Sequence, residues 1–145
     1  MQAIDVHHDF SAQRDQIWDL LQDFGNIERW WPKGQIVNIE RVDIEGQGIG
    51  MIRHIYNEGF DDAVSEQLIS IDPRSYTYTL AIVGKRPAGL TRYQATGTLS
   101  QLSEHGSRLS YHSEFQTEPG REQEARAFLS GAYALMFEGL RQATT

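Results

Sequence analysis

The sequence predicts an α+β domain: a seven-stranded antiparallel sheet wrapped round one long C-terminal helix, with two small helices after the first strand. Three features carry that prediction. Between residues 36 and 116 apolar and polar residues alternate with period two, and Gly, Pro, Asn and Asp interrupt the run at intervals. From residue 119 onward the period changes to that of a helix. The last helix is also the one element long enough to cover the apolar face of such a sheet.

The elements follow in order. Residues 2–9 place Ile4 and Val6 on one face and Asp5 and His7 on the other, a half-buried strand. Ser11 offers a capping hydroxyl and Asp15 a first-turn carboxylate to a helix whose stripe is Ile17, Trp18, Leu20, Leu21 and Phe24. Gly25 is expected to end it. A second short helical turn over 27–29 leads to Trp30-Trp31-Pro32, where proline blocks further helix. A strand alternates Ile36, Asn38 and Glu40 with Val37, Ile39 and Arg41, and Gly46, Gly48 and Gly50 turn it into 51–56. Asn57 to Asp61 forms a loop, 62–71 a long strand, and Asp72-Pro73-Arg74 a turn. Strands over 75–83, 91–102 and 108–115 follow, separated by the loop 84–89 and by Glu104-His105-Gly106. Pro119 suits a first helical turn. Ala125, Phe128, Leu129, Ala132, Leu135, Met136, Gly139 and Leu140 then make the apolar stripe of a helix over about 119–142.

Composition bounds the function classes. A chain of 145 residues without repeats, linkers or low-complexity tracts reads as one domain over 1–145, large enough to bury its own core. There is no cysteine, which removes disulfides, thiolate catalysis and cysteine-ligated metal. The N-terminal MQAIDVHHDF has neither a basic start nor an apolar run, so no signal peptide is expected, and no stretch approaches the length of a membrane span. A cytoplasmic location is the resulting expectation. The net charge is −7 and Lys33 and Lys85 are the only lysines, so nucleic acid and anionic membrane surfaces are poor partners.

Several segments resemble one known family. Ile17-Trp18-Asp19-Leu20-Leu21 with Asp23-Phe24 is similar to the first-helix signature of the bacterial polyketide cyclase/dehydrase branch of the helix-grip superfamily, also called START-like or SRPBCC. Arg29-Trp30-Trp31-Pro32 resembles its R-W-x-P segment and Gly50-Met51-Ile52-Arg53 its G-x-x-R strand. Glu66 to Asp72 followed by Ser75-Tyr76-Thr77-Tyr78 is similar to its E-x-L-x-x-x-D and S-Y-x-Y pair, and Tyr93-Gln94-Ala95-Thr96 to its Y-x-A-T strand. The resemblance spans nearly the whole chain. It implies a curved sheet gripping the final helix and enclosing a cavity for a small apolar ligand. It does not imply one function, because the superfamily hosts binding, transport and catalysis on one scaffold.

The candidate site is read around Arg53 and Glu66. If Asn57 pairs with Asp62, Arg53 stands opposite Glu66, and opposed residues share a face. On an inner face the pair could work as acid/base and anion anchor, or could simply fix register. The resemblance implies the inner face, since in plant relatives, receptors and an isomerising enzyme among them, the matching arginine and glutamate line the cavity. Tyr78 and Tyr93 are expected to line it, ahead of Tyr76, which shares a face with Tyr78, and Tyr111. Ile55, Val64, Leu68, Ala95, Phe128, Ala132 and Met136 complete the expected ligand-binding set, with Ala95 and Gly97 leaving room beside Tyr93. Of the tryptophans, one closes the cavity mouth or packs under the small helices, with core packing the more ordinary role for Trp30. His7, His8, His54 and His112 form no metal motif, and no cofactor is expected. Gly46-Gln47-Gly48-Ile49-Gly50 has no helix after it and reads as a hairpin turn, not a phosphate loop.

The leading reading is a protein that binds or carries a small, mostly apolar molecule, such as a polyketide, lipid or terpenoid-like metabolite. Its rival is a cyclase, dehydratase or isomerase in which Glu66 moves a proton and Arg53 holds an oxyanion or carboxylate. A third reading is an interaction module, with the 84–89 loop as a gate and a protein partner or a second copy as its target. No histidine can be placed in phase with Glu66, which favours binding over catalysis.

Overall fold

In a computed structural model describing residues 1–35 and 37–145, seven antiparallel strands form one sheet in the order β1-β7-β6-β5-β4-β3-β2. The strands are β1 (Gln2–Phe10), β2 (Ile39–Glu45), β3 (Ile52–Asn57), β4 (Val64–Asp72), β5 (Thr77–Val83), β6 (Leu90–Ser103) and β7 (Gly106–Thr117). Helix α1 (Arg14–Gln22) and a 3₁₀ helix (Phe24–Arg29) lie between β1 and β2, and α2 (Glu122–Ala143) ends the chain. The chain thus meanders from β2 to β7, and β1 closes on β7 with Val6 opposite Tyr111. The expected architecture is the one observed. Ile36, placed in a strand by the sequence pattern, lies outside the described residues.

Alternation holds where the sheet is long. In β7 Ser107, Leu109, Tyr111, Ser113 and Phe115 are buried while their neighbours face outward. Helix α2 buries Ala125, Leu129, Tyr133, Met136 and Leu140 and packs most closely against β1 and β7. The far half of the curved sheet, β3 to β5, is therefore left with space between itself and the helix. Gly139 sets how near α2 comes to the Trp30–Pro32 corner: a Cβ there would stand 2.7 Å from Pro32 Cδ and nearer still to Trp30 O.

Of the boundaries that differ from expectation, four have a clear local reason. Ser11 does not cap α1, because Ser107 Oγ donates to Ala12 O at 2.8 Å and fixes the chain to β7 before the helix can begin. The helix starts after Gln13, whose N–H donates to Gln16 Oε1 at 3.0 Å. Gly25 does not end it either; α1 stops at Asp23, whose carboxylate accepts from Asn26 Nδ2 and Arg29 Nη1 and draws the chain into the 3₁₀ helix. Tyr76 is not in β5: at φ 53° it is a left-handed turn residue, so it does not share a strand face with Tyr78. Pro119 lies outside α2, which begins only after Gly120 (φ 81°) and Arg121, whose guanidinium ties Glu118 to Glu124.

Candidate ligand cavity

Between α2 and the β3–β5 half of the sheet lies a cavity of about 960 Å³. Its walls are largely apolar. Leu21, Phe24 and Ile27 come from the small helices, Ile55, Leu80 and Ile82 from the sheet, and Phe128, Ala132 and Met136 from α2. Toward the surface the lining includes half-buried Trp31, Phe60, which is 60% exposed, and the loop residues Lys85 to Ala88. Lys85 Nζ and Asp62 Oδ2, both exposed and both in the lining, meet at 3.1 Å. Both tryptophans touch the cavity, Trp30 buried in the core and Trp31 half-buried with its indole N–H donating to Val37 O.

Arg53 and Glu66 are directly opposed in the β3–β4 ladder, in the register that the loop length implied. Both line the cavity. Arg53 is 6% exposed, and its Nε and Nη2 both approach Glu66 Oε1 at 2.8 Å. Its Nη1 donates to Phe24 O at 3.0 Å, and the guanidinium carbon sits 3.9 Å from the centre of the Phe24 ring. All three guanidinium nitrogens are thus engaged by protein, through three of the group's five N–H bonds. Glu66 Oε2, by contrast, accepts no hydrogen bond from any described residue. It is not sealed in either, because the one fully enclosed, unpaired side-chain polar atom among the described residues is Arg14 Nε.

A cluster of phenols faces this pair. Tyr93 OH and Tyr133 OH lie 2.6 Å apart, and Tyr133 OH donates to Ser113 Oγ at 2.7 Å. Tyr78 and Tyr111 are buried, with ring centres 6.4 Å apart. Burial pushes the phenols of Tyr78, Tyr93 and Tyr111 up from their ordinary value; the charge of Glu66 adds to the effect, and at Tyr78 the charge of Arg53 opposes it. They stay protonated and neutral at physiological pH. The Tyr78 ring lies over Gly97, where a Cβ would come within 2.6 Å of the ring, so Gly97 makes room for Tyr78 rather than for a ligand beside Tyr93.

Of the residues picked out by sequence, Arg53, Ile55, Val64, Glu66, Tyr78, Tyr93, Phe128, Ala132 and Met136 line the cavity. Leu68 does not. It lies beyond Phe24, which lines both spaces, in a shallower depression of about 470 Å³ shared with Met51 and Ile71, beside the irregularity between Leu68 and Ser70. Ala95 does not either. It is 1% exposed and opposite Ser113, and Tyr133 reaches down to Ser113 and covers this part of the sheet. Tyr76 stays outside, bonded through its hydroxyl to Asp15 and covered by Arg14. Tyr111, ranked behind Tyr93, is inside. Sequence reading missed Tyr133 and Ser113. Tyr133 falls between Leu129 and Met136 at helical spacing, and that spacing is the signal that points to it. The histidines do not reach the cavity: His54 bonds Ser65 and Glu45, and His112 bonds Asp5 and Glu114. Among the described residues no three His, Cys, Asp or Glu side chains are grouped to hold a metal. No helix among them is long and apolar enough to cross a membrane.

Comparison with known proteins gives a family model and many structural relatives. The model for polyketide cyclase/dehydrase and lipid transport proteins matches residues 1–144. The structure of XoxI from Bacillus cereus superposes with a TM-score of 0.83 at 22% identity, over 99% of this chain and 96% of that one. Norcoclaurine synthase from Thalictrum flavum, solved as a point mutant with a transition-state analogue, superposes with a TM-score of 0.79 at 17% identity, over 99% and 93%. At these identities the structures share the fold. No protein of curated function matches the sequence.

Proposed function

This chain belongs to the polyketide cyclase/dehydrase and lipid transport family, and on that premise we propose that residues 1–145 act as one unit that holds a single small, mostly apolar molecule in the cavity. The observation that carries the reading is the cavity itself. Its 960 Å³ matches the space of ordinary small-ligand sites, and its walls are mostly apolar, with the Arg53–Glu66 pair and a set of phenols among the polar groups. Apolar burial, at roughly 25 cal/mol per Å², supplies affinity, and the polar groups supply orientation.

Binding is favoured over proton-transfer chemistry by the company Glu66 keeps. Its cavity neighbours are neutral phenols held protonated by burial, which neither release nor take up protons readily near neutral pH. One observation keeps the enzyme reading, a cyclase, dehydratase or isomerase with Glu66 as acid/base and Arg53 as anchor: Glu66 Oε2 is unpaired and open.

Native mass spectrometry of the recombinant protein, with titration of an apolar fluorescent probe, tests the proposal. Ala132→Phe should fold normally and lower probe affinity about tenfold or more, because the new ring occupies ligand volume. Unchanged probe affinity in a folded Ala132→Phe protein would place the binding space elsewhere.

A further inference from the structure

We infer that the inner end of the cavity recognises a neutral hydroxyl, an alcohol or phenol that donates to Glu66 Oε2, and rejects a carboxylate. This deepens the proposed function and rests on its premise that the cavity receives an apolar body.

The inference comes from counting which hydrogen-bonding positions remain unused. Arg53 looks like a carboxylate anchor from sequence, but its Nε and Nη2 are turned onto Glu66 Oε1 and its Nη1 onto Phe24 O. The Nε/Nη2 edge that would grip a ligand carboxylate is already filled by Glu66, and Nη1 spends one of its two N–H groups on Phe24 O. A second carboxylate brought to the same place would meet the Glu66 charge, with Arg53 already held by Glu66 and Arg86, the other arginine of the lining, bonded to the Ile82 and Gly84 carbonyls. An ammonium is disfavoured for the mirror reason, because Arg53 has neutralised Glu66 and lies beside it. A neutral donor suffers neither repulsion.

The phenol chain points the same way. Tyr133 gives its one proton to Ser113 Oγ, so Tyr93 must give its own to Tyr133. The Tyr93 oxygen is left as an acceptor where the residue lines the cavity. Glu66 Oε2 and Tyr93 Oη thus offer lone pairs. Tyr78, which has no hydrogen-bond partner among the described residues and remains protonated, can serve as either partner, while Tyr111 lies against Tyr93. A hydroxyl can give its proton to Glu66 and accept one from a free phenol, which a methyl ether cannot do.

The test is a matched series on one apolar body: 2-naphthol, 2-methoxynaphthalene and 2-naphthoate, titrated calorimetrically at neutral pH. The naphthol is expected to bind about tenfold or more tightly than the ether, since it alone donates to a charged acceptor, with the naphthoate weakest. In Glu66→Leu the order should reverse, because Arg53 is released to take the carboxylate. Should that variant fail to fold, the wild-type ranking decides. Naphthoate binding as well as naphthol, or ether and naphthol binding equally, overturns this inference and leaves the cavity reading standing. Failure of all three to bind, the ether included, overturns the cavity reading and this inference with it.

Discussion

At the scale of single residues the chemistry turns on how Arg53 and Glu66 share their bonds. Desolvating two charges costs several kcal/mol each, and only close pairing with further hydrogen bonds offsets it. Arg53 meets that condition through Glu66, Phe24 O and the Phe24 ring. Glu66 meets it only in part: its side chain is 18% exposed and it lines the cavity. Removing the carboxylate should therefore cost more than its own contact, since it strands a buried cation. Glu66→Leu is expected to lower unfolding free energy by about 3 kcal/mol, and Arg53→Met with Glu66→Leu to recover most of that. Denaturant unfolding of the single and double variants measures this. A double variant as unstable as the single would show that the pair's geometry, not its charge balance, supports the wall.

At the scale of elements, α2 is positioned by one glycine on each kind of surface. Gly139 faces the Trp30–Pro32 corner with no space for a Cβ, whereas Gly131 has nothing within 4 Å. Alanine is the better helix former by about 1 kcal/mol at both positions. At Gly131 that gain should appear nearly whole, as a rise of up to ~1 kcal/mol in stability. At Gly139 the neighbour is backbone and proline ring, which cannot swing aside, and overpacking of about 1–3 kcal/mol should outweigh the gain. Opposite signs for Gly131→Ala and Gly139→Ala in thermal unfolding are the expected result. Equal signs would mean that α2 is free to slide along the sheet.

For the whole molecule, pH dependence near neutrality is expected to centre on His112, where β1 and β7 join. Its Nδ1 is 2.6 Å from Asp5 Oδ1 and its Nε2 3.3 Å from Glu114 Oε2, on the outer face opposite Thr96 of β6. The Asp5 contact, helped by Glu114, holds the imidazole above its ordinary value of 6.5 against the penalty of burial. The unfolded chain loses that proton first as pH rises. The stabilisation is therefore complete below about pH 6.5 and is lost as pH climbs through the higher folded value. Asp9, Glu124 and Glu138 lie on the other side, their carboxyls lowered by Arg108, Arg121 and Arg141, and their contributions fade only in acid. Melting temperature followed from pH 6 to 8 should fall for the native protein and flatten in His112→Gln. A slope unchanged by that substitution would assign the effect to another group.

The sheet, its strand count and the gripping helix were legible in the sequence because they rest on periodicity, and period two against period 3.6 survives without coordinates. The Arg53–Glu66 register was legible for a related reason: a short loop leaves few ways to pair its flanking strands. Boundaries were less so, because Ser107 bonding to Ala12 and Asp23 bonding to Asn26 and Arg29 decide them through contacts that local propensity does not encode. The cavity wall was the part that tertiary structure alone decided. Alternation puts Leu68 and Ala95 on the inner face with Glu66 and Tyr93, but whether an inward residue meets empty space or another side chain depends on what stands above it. Phe24 separates Leu68 from the cavity, and Tyr133 covers the sheet at Ala95. Those two aromatics come from elements 44 and 38 residues away from the positions they affect, and only the packing of α2 and the small helices on the curved sheet brings them there.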